Sequence, residues 1–301
     1  MQPLYSLSVR PAWVEARKNS IIRNAEAVLR EEGARLSFDP GPHVYTDLET
    51  GFVPACVSDV VETWCSFDSE AKATEISARD FHKKGAKYYG MTKEDILRQW
   101  NENADKAADK GTVLHSFAEA CFCVATGQPE KVDPEWRSRV SEDGTRIDAY
   151  SIEEAGIMQA FQWMPDYLVP VVKECRLYND ELGYAGTVDL LCYDMKENFF
   201  VLLDWKTNES LDKGFSSKMK GAFSRLRDVP LNHYKIQQSL YQIRLRKLGF
   251  DIRRRYLLHI DYHGIFMPVP IEEYMDLLTK LLLERKSQGL SADGKPLQTQ
   301  K

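Results

Sequence analysis

Residues 183–208 read GYAGTVDLLCYDMKENFFVLLDWKTN. Two runs rich in Val, Leu, Thr and aromatics, 184–193 and 199–207, flank the polar turn Asp194-Met195-Lys196-Glu197-Asn198 and predict a β-hairpin. Asp189 stands inside the first run, and Asp204-Trp205-Lys206 closes the second. A charge buried in an apolar strand is costly unless it is paired or holds a metal. Strand alternation puts Asp204 and Lys206 on one face and Trp205 on the other, and pairing of the two runs brings Asp189 opposite. Two carboxylates so close repel unless a cation sits between them. Mg²⁺ or Mn²⁺ suits such hard oxygen ligands. A lysine alongside can position water or stabilise charge on a phosphate. The hairpin therefore predicts a metal-dependent active site suited to phosphodiester hydrolysis.

Upstream of the hairpin, residues 171–178 predict a strand. Ser151, with Glu154 three residues on, predicts a capping box and a helix to about 168. Residues 104–125 predict a helix with Val113, Leu114, Phe117, Ala118, Cys121 and Phe122 on its apolar face, ended by Gly127, and 128–148 read as loop. Thr92 and Asp95 predict a second box, with a helix to about 103. Further back, 12–32 and 58–64 read as helices around two short strands, and 68–77 reads as a polar stretch. Downstream, 209–231 is a long connection. A helix over 233–248, strands over 254–262 and 265–269, and a helix over 272–286 follow. The organisation expected is α/β: a helical N-terminal region with a small hairpin (1–103), a core (104–287) and a disordered polar tail (288–301).

The bulk numbers narrow the function classes. The chain has 301 residues, 43% hydrophobic and 28% charged, as in ordinary globular proteins. The formal net charge of −5 announces no global basic field. No run is long and apolar enough for a membrane span, and the N-terminus lacks the pattern of a signal peptide, so a soluble, intracellular setting is expected. The six cysteines contain no C-x-x-C and read as reduced, mostly buried thiols.

The hairpin residues resemble the PD-(D/E)xK nuclease superfamily, with Asp189 as first acid and Asp204-Trp205-Lys206 as the D-x-K element. Gly111-Thr112-Val113-Leu114-His115 followed by Glu119 is similar to the G-x-x-x-H…E helix of the RecB-like and lambda-exonuclease-like branch. Gln237-Gln238-Ser239-Leu240-Tyr241 is similar to its Q-x-x-x-Y helix. The four motifs occur in the family's order, over about 104–248. The resemblance implies a restriction-endonuclease-like core, a mixed central sheet flanked by helices. It implies a metal-dependent deoxyribonuclease, an exonuclease acting on DNA ends in recombination, repair or genome processing. It implies Asp189, Asp204, the Trp205 carbonyl and His115, with Glu119, as metal ligands. Lys206 would act at the water or the scissile phosphate, and Gln237 and Tyr241 would contact DNA or brace the site. Val188 stands where the family name has proline. Some relatives hold an iron–sulfur cluster through C-terminal cysteines; no cysteine follows Cys192, so no cluster is expected.

Taken singly, each residue has an ordinary alternative. Asp189 could cap a strand end, Asp204–Lys206 could be a surface pair, His115 a core histidine, and Gln237 and Tyr241 plain helix surface. Glu174 is either a further acidic ligand or a salt-bridging glutamate. Lys213, Lys218, Lys220, Arg225 and Arg227, with Phe215 and Phe223 interleaved and no acid between 213 and 227, predict a flexible loop that tracks a phosphate backbone and stacks an unpaired base. Arg244, Arg246, Lys247 and Arg253–Arg255 form a second basic cluster. His43-Val44-Tyr45 reads as a turn-stabilising pair rather than a substrate contact. A second reading of the whole chain is a non-catalytic nucleic-acid-binding module that kept the fold; the intact D-x-K opposes it.

Overall fold

A computed structural model describes residues 2–214 and 217–297. Strand β1 (Tyr5–Ser8) opens the chain. Helix α1 (Ser20–Ala34) starts later than expected, where the Asn19 side chain accepts the Ile22 N–H. Trp13 lies before it, fully buried, with the Arg10 guanidinium 3.9 Å over its ring. Strands β2 (Leu36–Asp39) and β3 (Val44–Asp47) pair antiparallel, turning at His43 with φ 56°. Strand β4 (Ala55–Cys56) runs directly into α2 (Val57–Glu62). Helix α3 (Ser69–Asp80) occupies the stretch that reads as merely polar. Asp68 caps it, and its two buried apolar side chains, Ala73 and Ile76, join Tyr88 and Ile96 in a small cluster of their own, with Met91, Leu97 and Trp100 packed against it.

Helix α4 (Lys93–Ala125) begins at the Thr92/Asp95 capping box as expected but does not stop near 103. The expected boundary at 103/104 falls inside one 33-residue helix. A glycine such as Gly111 costs about 1 kcal/mol in a helix, too little to break one anchored at both ends. Strand β5 (Arg146–Ala149), within the expected loop, pairs antiparallel with β1. Helix α5 (Ile152–Trp163) carries the Ser151/Glu154 box and stops ahead of Pro165. Then come β6 (Leu168–Asn179), β7 (Tyr184–Asp194), β8 (Phe199–Lys206), α6 (Pro230–Lys247), β9 (Ile252–Ile260), β10 (Phe266–Pro270) and α7 (Met275–Ser287). The tail expected to be disordered instead folds back through Leu297: Leu290 bridges Pro296 and Ala292 is buried. Residues 298–301 lie outside the described residues.

The central sheet is mixed and flanked by helices. Its order is β10-β9-β8-β7, and β6 pairs the far edge of β7. β7 and β8 form the predicted antiparallel hairpin, from Asp194↔Phe199 to Leu190↔Leu203, while β8 and β9 run parallel. At the other end of β7, β4 pairs parallel with Tyr184 and Ala185. One edge of β7 is therefore shared by two strands, and residues 186–189 lie in the fork between them. Helix α5 covers the sheet face that carries Trp205, its Phe161 ring 5.6 Å from the indole. Helix α6 covers the other face. It comes close because residue 186 is glycine: a Cβ there would meet Tyr241 Cε1 at 2.7 Å and Val57 Cγ2 at 3.0 Å.

Candidate active site

The fork positions the acids. β6 and β7 pair Lys173 with Leu190 and Cys175 with Val188, so Glu174 is the cross-strand neighbour of Asp189. Continuing the β7–β8 register one step beyond Leu190↔Leu203 puts Asp189 opposite Asp204. Glu174, Asp189 and Asp204 thus form one row across three adjacent strands. The ladder is interrupted at this row on both sides. Glu174 has φ 46°, a left-handed conformation that a glutamate rarely adopts and that costs roughly 1–3 kcal/mol. The Trp205 N–H turns from the ladder to donate to Asp189 Oδ2 at 2.8 Å.

His115 reaches the row from α4. Its Nδ1 is 3.7 Å from Asp189 Oδ2 and 3.8 Å from Glu174 Oε1. Ligand atoms of His115, Glu174 and Asp189 lie within 4.8 Å of one another, the spacing of groups able to hold one ion. Lys206 meets the row from the other side. Its ammonium contacts Asp204 Oδ2 and lies 4.5 Å over the Tyr234 ring. Asp204 is buried and Lys206 largely so.

The electrostatics follow from burial plus crowding of like charge. Desolvation raises the Asp189 carboxyl above the usual range, opposed by His115 and Lys206 and reinforced by Glu174. Desolvation likewise raises Asp204, against the pull of Lys206 and with a further push from Asp189. Burial opposes the charge on Lys206, but Asp204 and Asp189 prevail and its pKa rises. His115 behaves the same way: burial lowers it, Asp189 and Glu174 outweigh that, and the net shift is upward. The row holds more negative charge than its one firm cation neutralises. Strongly shifted groups gathered in one place are a mark of functional sites.

The other expected residues divide. Trp205 is buried on the opposite face, and its backbone borders the row through the Asp189 bond. Glu119, one turn beyond His115, is ion-paired with Lys173 and lines the same small cavity as Glu174 and Asp189. Tyr241 is buried over the fork, its hydroxyl accepting from Gln237 Nε2 at 3.3 Å. Val113, expected on the apolar face of α4, is 47% exposed. His43 and Tyr45 stack around Phe38, and the Tyr45 hydroxyl lies 2.9 Å from Thr187 Oγ1, so they brace the β2–β3 hairpin.

The basic connection is more ordered than expected. Lys218 bridges Arg227, and the Met219 N–H donates to the Leu226 carbonyl at 3.0 Å. Lys213, Lys218, Lys220, Arg225 and Arg227 all reach solvent, with Lys213 3.5 Å from Glu209. Phe223 is buried edge-on against Trp64, 5.2 Å between centroids, so it is not available to stack a base. Phe215 lies outside the described residues. Much of the second cluster serves structure: Arg244 clamps Glu32, Lys247 pairs Glu181, and Arg253 pairs Asp251.

Two residues of the site are poorly marked in the sequence. Glu174 reads two ways there, because its place follows from register that a lone strand does not reveal. Tyr234, in the first turn of α6, lies over Lys206 and donates to Asn208 Oδ1 at 2.6 Å; nothing in its local pattern marks it.

No protein-family model matches the chain, and no curated protein matches it. Among solved structures, one described as "Putative exonuclease" from Eubacterium rectale is similar over 78% of this chain and 84% of its own, at 13% identity and a TM-score of 0.37. No helix among the described residues is long and apolar enough to cross a membrane.

Proposed function

We propose that this chain is a divalent-metal-dependent nuclease that hydrolyses phosphodiester bonds in DNA. The observation that carries the reading is the row Glu174–Asp189–Asp204 on three adjacent strands, with Lys206 at one end and His115 facing it. Three carboxylates converging in a partly buried fork, with too few cations to balance them, fit a hard divalent ion; a merely structural ion pair needs one acid per base. Asp189, Asp204, Glu174 and His115 would hold Mg²⁺ or Mn²⁺. The ion, when bound, supplies Lewis acidity toward a phosphate oxygen and lowers the pKa of water.

The chain's own groups do the rest. Lys206 is held as an ammonium by Asp204 and Asp189, so it serves as a fixed cation against charge developing on the phosphate rather than as a base. Asp204 orients it, and the Tyr234 ring walls one side. Tyr241, packed against Gly186, fixes α6 over the fork. The exposed cations of 213–227 lie on the connection that leaves β8 and would contact the DNA backbone. Glu119, paired with Lys173 on the wall of the cavity that Glu174 and Asp189 line, would be the further ligand that the resemblance implies. The mixed sheet with helices on both faces agrees with a restriction-endonuclease-like core. Preference for DNA ends rests on the motif resemblance.

The test is purified protein with Mg²⁺ or Mn²⁺ on labelled linear and closed circular DNA, single- and double-stranded. Linear DNA should be degraded and closed circles should resist. Absence of cleavage, or wild-type rates from Asp204→Ala and Lys206→Ala, would end the reading. Ion binding without cleavage would favour the binding-module alternative.

A further inference from the structure

A second cluster lies away from the acid row. It joins three separate places in the chain: Cys65, just past α2; Asp228, where the basic connection ends; and His233, in the first turn of α6. His233 Nε2 is 2.5 Å from Asp228 Oδ1 and 3.4 Å from Cys65 Sγ. The three ligand atoms lie within 4.8 Å of one another. We propose that Cys65, Asp228 and His233 form a binding site for a borderline-soft transition metal of the Zn²⁺ class, which fastens the basic connection to the α2–α3 junction.

Three observations favour an ion over a catalytic relay or a chance contact. First, the acid and the thiol address the same ring nitrogen. In a nucleophile–histidine–acid relay they engage opposite nitrogens, because the proton must pass through the ring. Convergence on one nitrogen describes a point between three donors. Second, Asp228 is already aimed. Its carboxylate is 2% exposed, and Oδ2 accepts from Ser66 N at 2.6 Å, Ser66 Oγ at 2.7 Å and Phe67 N at 3.0 Å. Those bonds fix the group and leave Oδ1 toward the cluster, as outer-shell partners do for metal-ligating carboxylates. Third, the spacing suits the ion. Tetrahedral Zn–N and Zn–S bonds of about 2.0–2.1 and 2.3 Å imply an N···S separation of about 3.6 Å, close to that found. The N···O pair would open to about 3.4 Å by retreat of the partly exposed His233 ring.

The donor set chooses the metal. One thiolate, one imidazole and one carboxylate suit Zn²⁺ or Co²⁺, whereas Mg²⁺ avoids sulfur. Three protein ligands leave a fourth position for water. Burial, with help from Asp228, pushes the Cys65 thiol up to about 12, so an ion that takes up the thiolate displaces a proton. Binding forms the metal–sulfur bond and releases that proton to solvent. Of the six cysteines Cys65 is the one that is not buried, so an ion can reach it.

The experiment is titration of the full-length, chelator-stripped protein with Co²⁺. The expected result is a thiolate-to-cobalt charge-transfer absorption that saturates at one equivalent, is bleached by Zn²⁺ and not by excess Mg²⁺, disappears in Cys65→Ser and His233→Ala, and survives in Asp189→Asn/Asp204→Asn. A second readout needs no variant. At a Co²⁺ concentration ten times the dissociation constant, the rate of Cys65 alkylation by iodoacetamide, followed at raised pH where the thiolate forms and mapped on peptides, falls roughly tenfold. No band in the wild type, a band that persists in Cys65→Ser, or equal alkylation with and without Co²⁺ overturns the site. None of these outcomes depends on whether the protein cuts DNA.

Discussion

Two regions of the molecule bury carboxylates beside cations, and they do it in opposite ways. On the N-terminal side, Glu32 meets Arg244 through two bonds of 2.8 and 2.7 Å and also accepts the Tyr178 N–H. Asp47 takes two bonds from Arg35, both 3.1 Å, one from Thr50 at 2.7 Å and one from the Glu49 N–H. Each acid there has a planar guanidinium and backbone or hydroxyl donors around it. The hydrogen bonds from Arg35 pull Asp47 down to about 2. Along the row Glu174–Asp189–Asp204, three acids share one ammonium and a histidine, and burial drives Asp189 and Asp204 upward. Satisfied pairs hold the fold together. The unbalanced row is what the proposed divalent ion would neutralise.

The sharpest break in that comparison comes from deleting one member on each side. Asp204→Asn should lower DNA cleavage by roughly 10²–10³-fold while leaving the thermal midpoint unchanged or raised, since repulsion with Asp189 is relieved, whereas Lys206→Ala should lower cleavage as much but melt lower, since it removes the cation that pairs Asp204. Glu32→Ala should do the reverse of Asp204→Asn. It strands the buried Arg244 and costs about 3–5 kcal/mol of unfolding free energy, with activity per folded molecule intact. Denaturant melts read beside cleavage rates separate the two. Next in size is Gly186→Ala. Its methyl would collide with Tyr241 and Val57, an overpacking cost of about 1–3 kcal/mol, and should also slow cleavage by shifting α6 over the row.

Smaller effects test the exposed charge. Alanine at Lys218, Lys220, Arg225 and Arg227 should weaken DNA binding alike for all sequences, and flatten the salt dependence by roughly 0.9 in log–log slope for each phosphate left without its cation. The smallest concerns acid. Because Asp47 is depressed in the folded protein, its contribution is fully present above its ordinary value of 3.8 and is lost as pH falls through about 2. Asp47→Asn should remove that dependence from urea titrations run between those pH values.

The hairpin, both capping boxes and the order of the motifs were legible in the sequence, because each depends on neighbours within a few residues. What was hidden depends on distant pairing. Glu174 joins the row only through the β6–β7 register. The two-residue β4 is too short to carry a pattern, yet it creates the fork. Helix α3 is polar on most of its surface because it packs on a few side chains of its own cluster, so its period was faint. The expected division near 103 separated two helices, to about 103 and over 104–125, that are one continuous helix with an exposed middle.

The central claim is that the row at Glu174, Asp189 and Asp204 exists to bind a divalent ion and cut DNA, not to stabilise the fold. It is tested most directly by measuring Mn²⁺-dependent cleavage of an end-labelled linear duplex by wild type and Asp204→Asn, with the thermal midpoint of each recorded without metal. The claim predicts cleavage by the wild type alone and a variant at least as stable. Equal cleavage by both, or a variant that keeps its activity but melts several degrees lower, would contradict it.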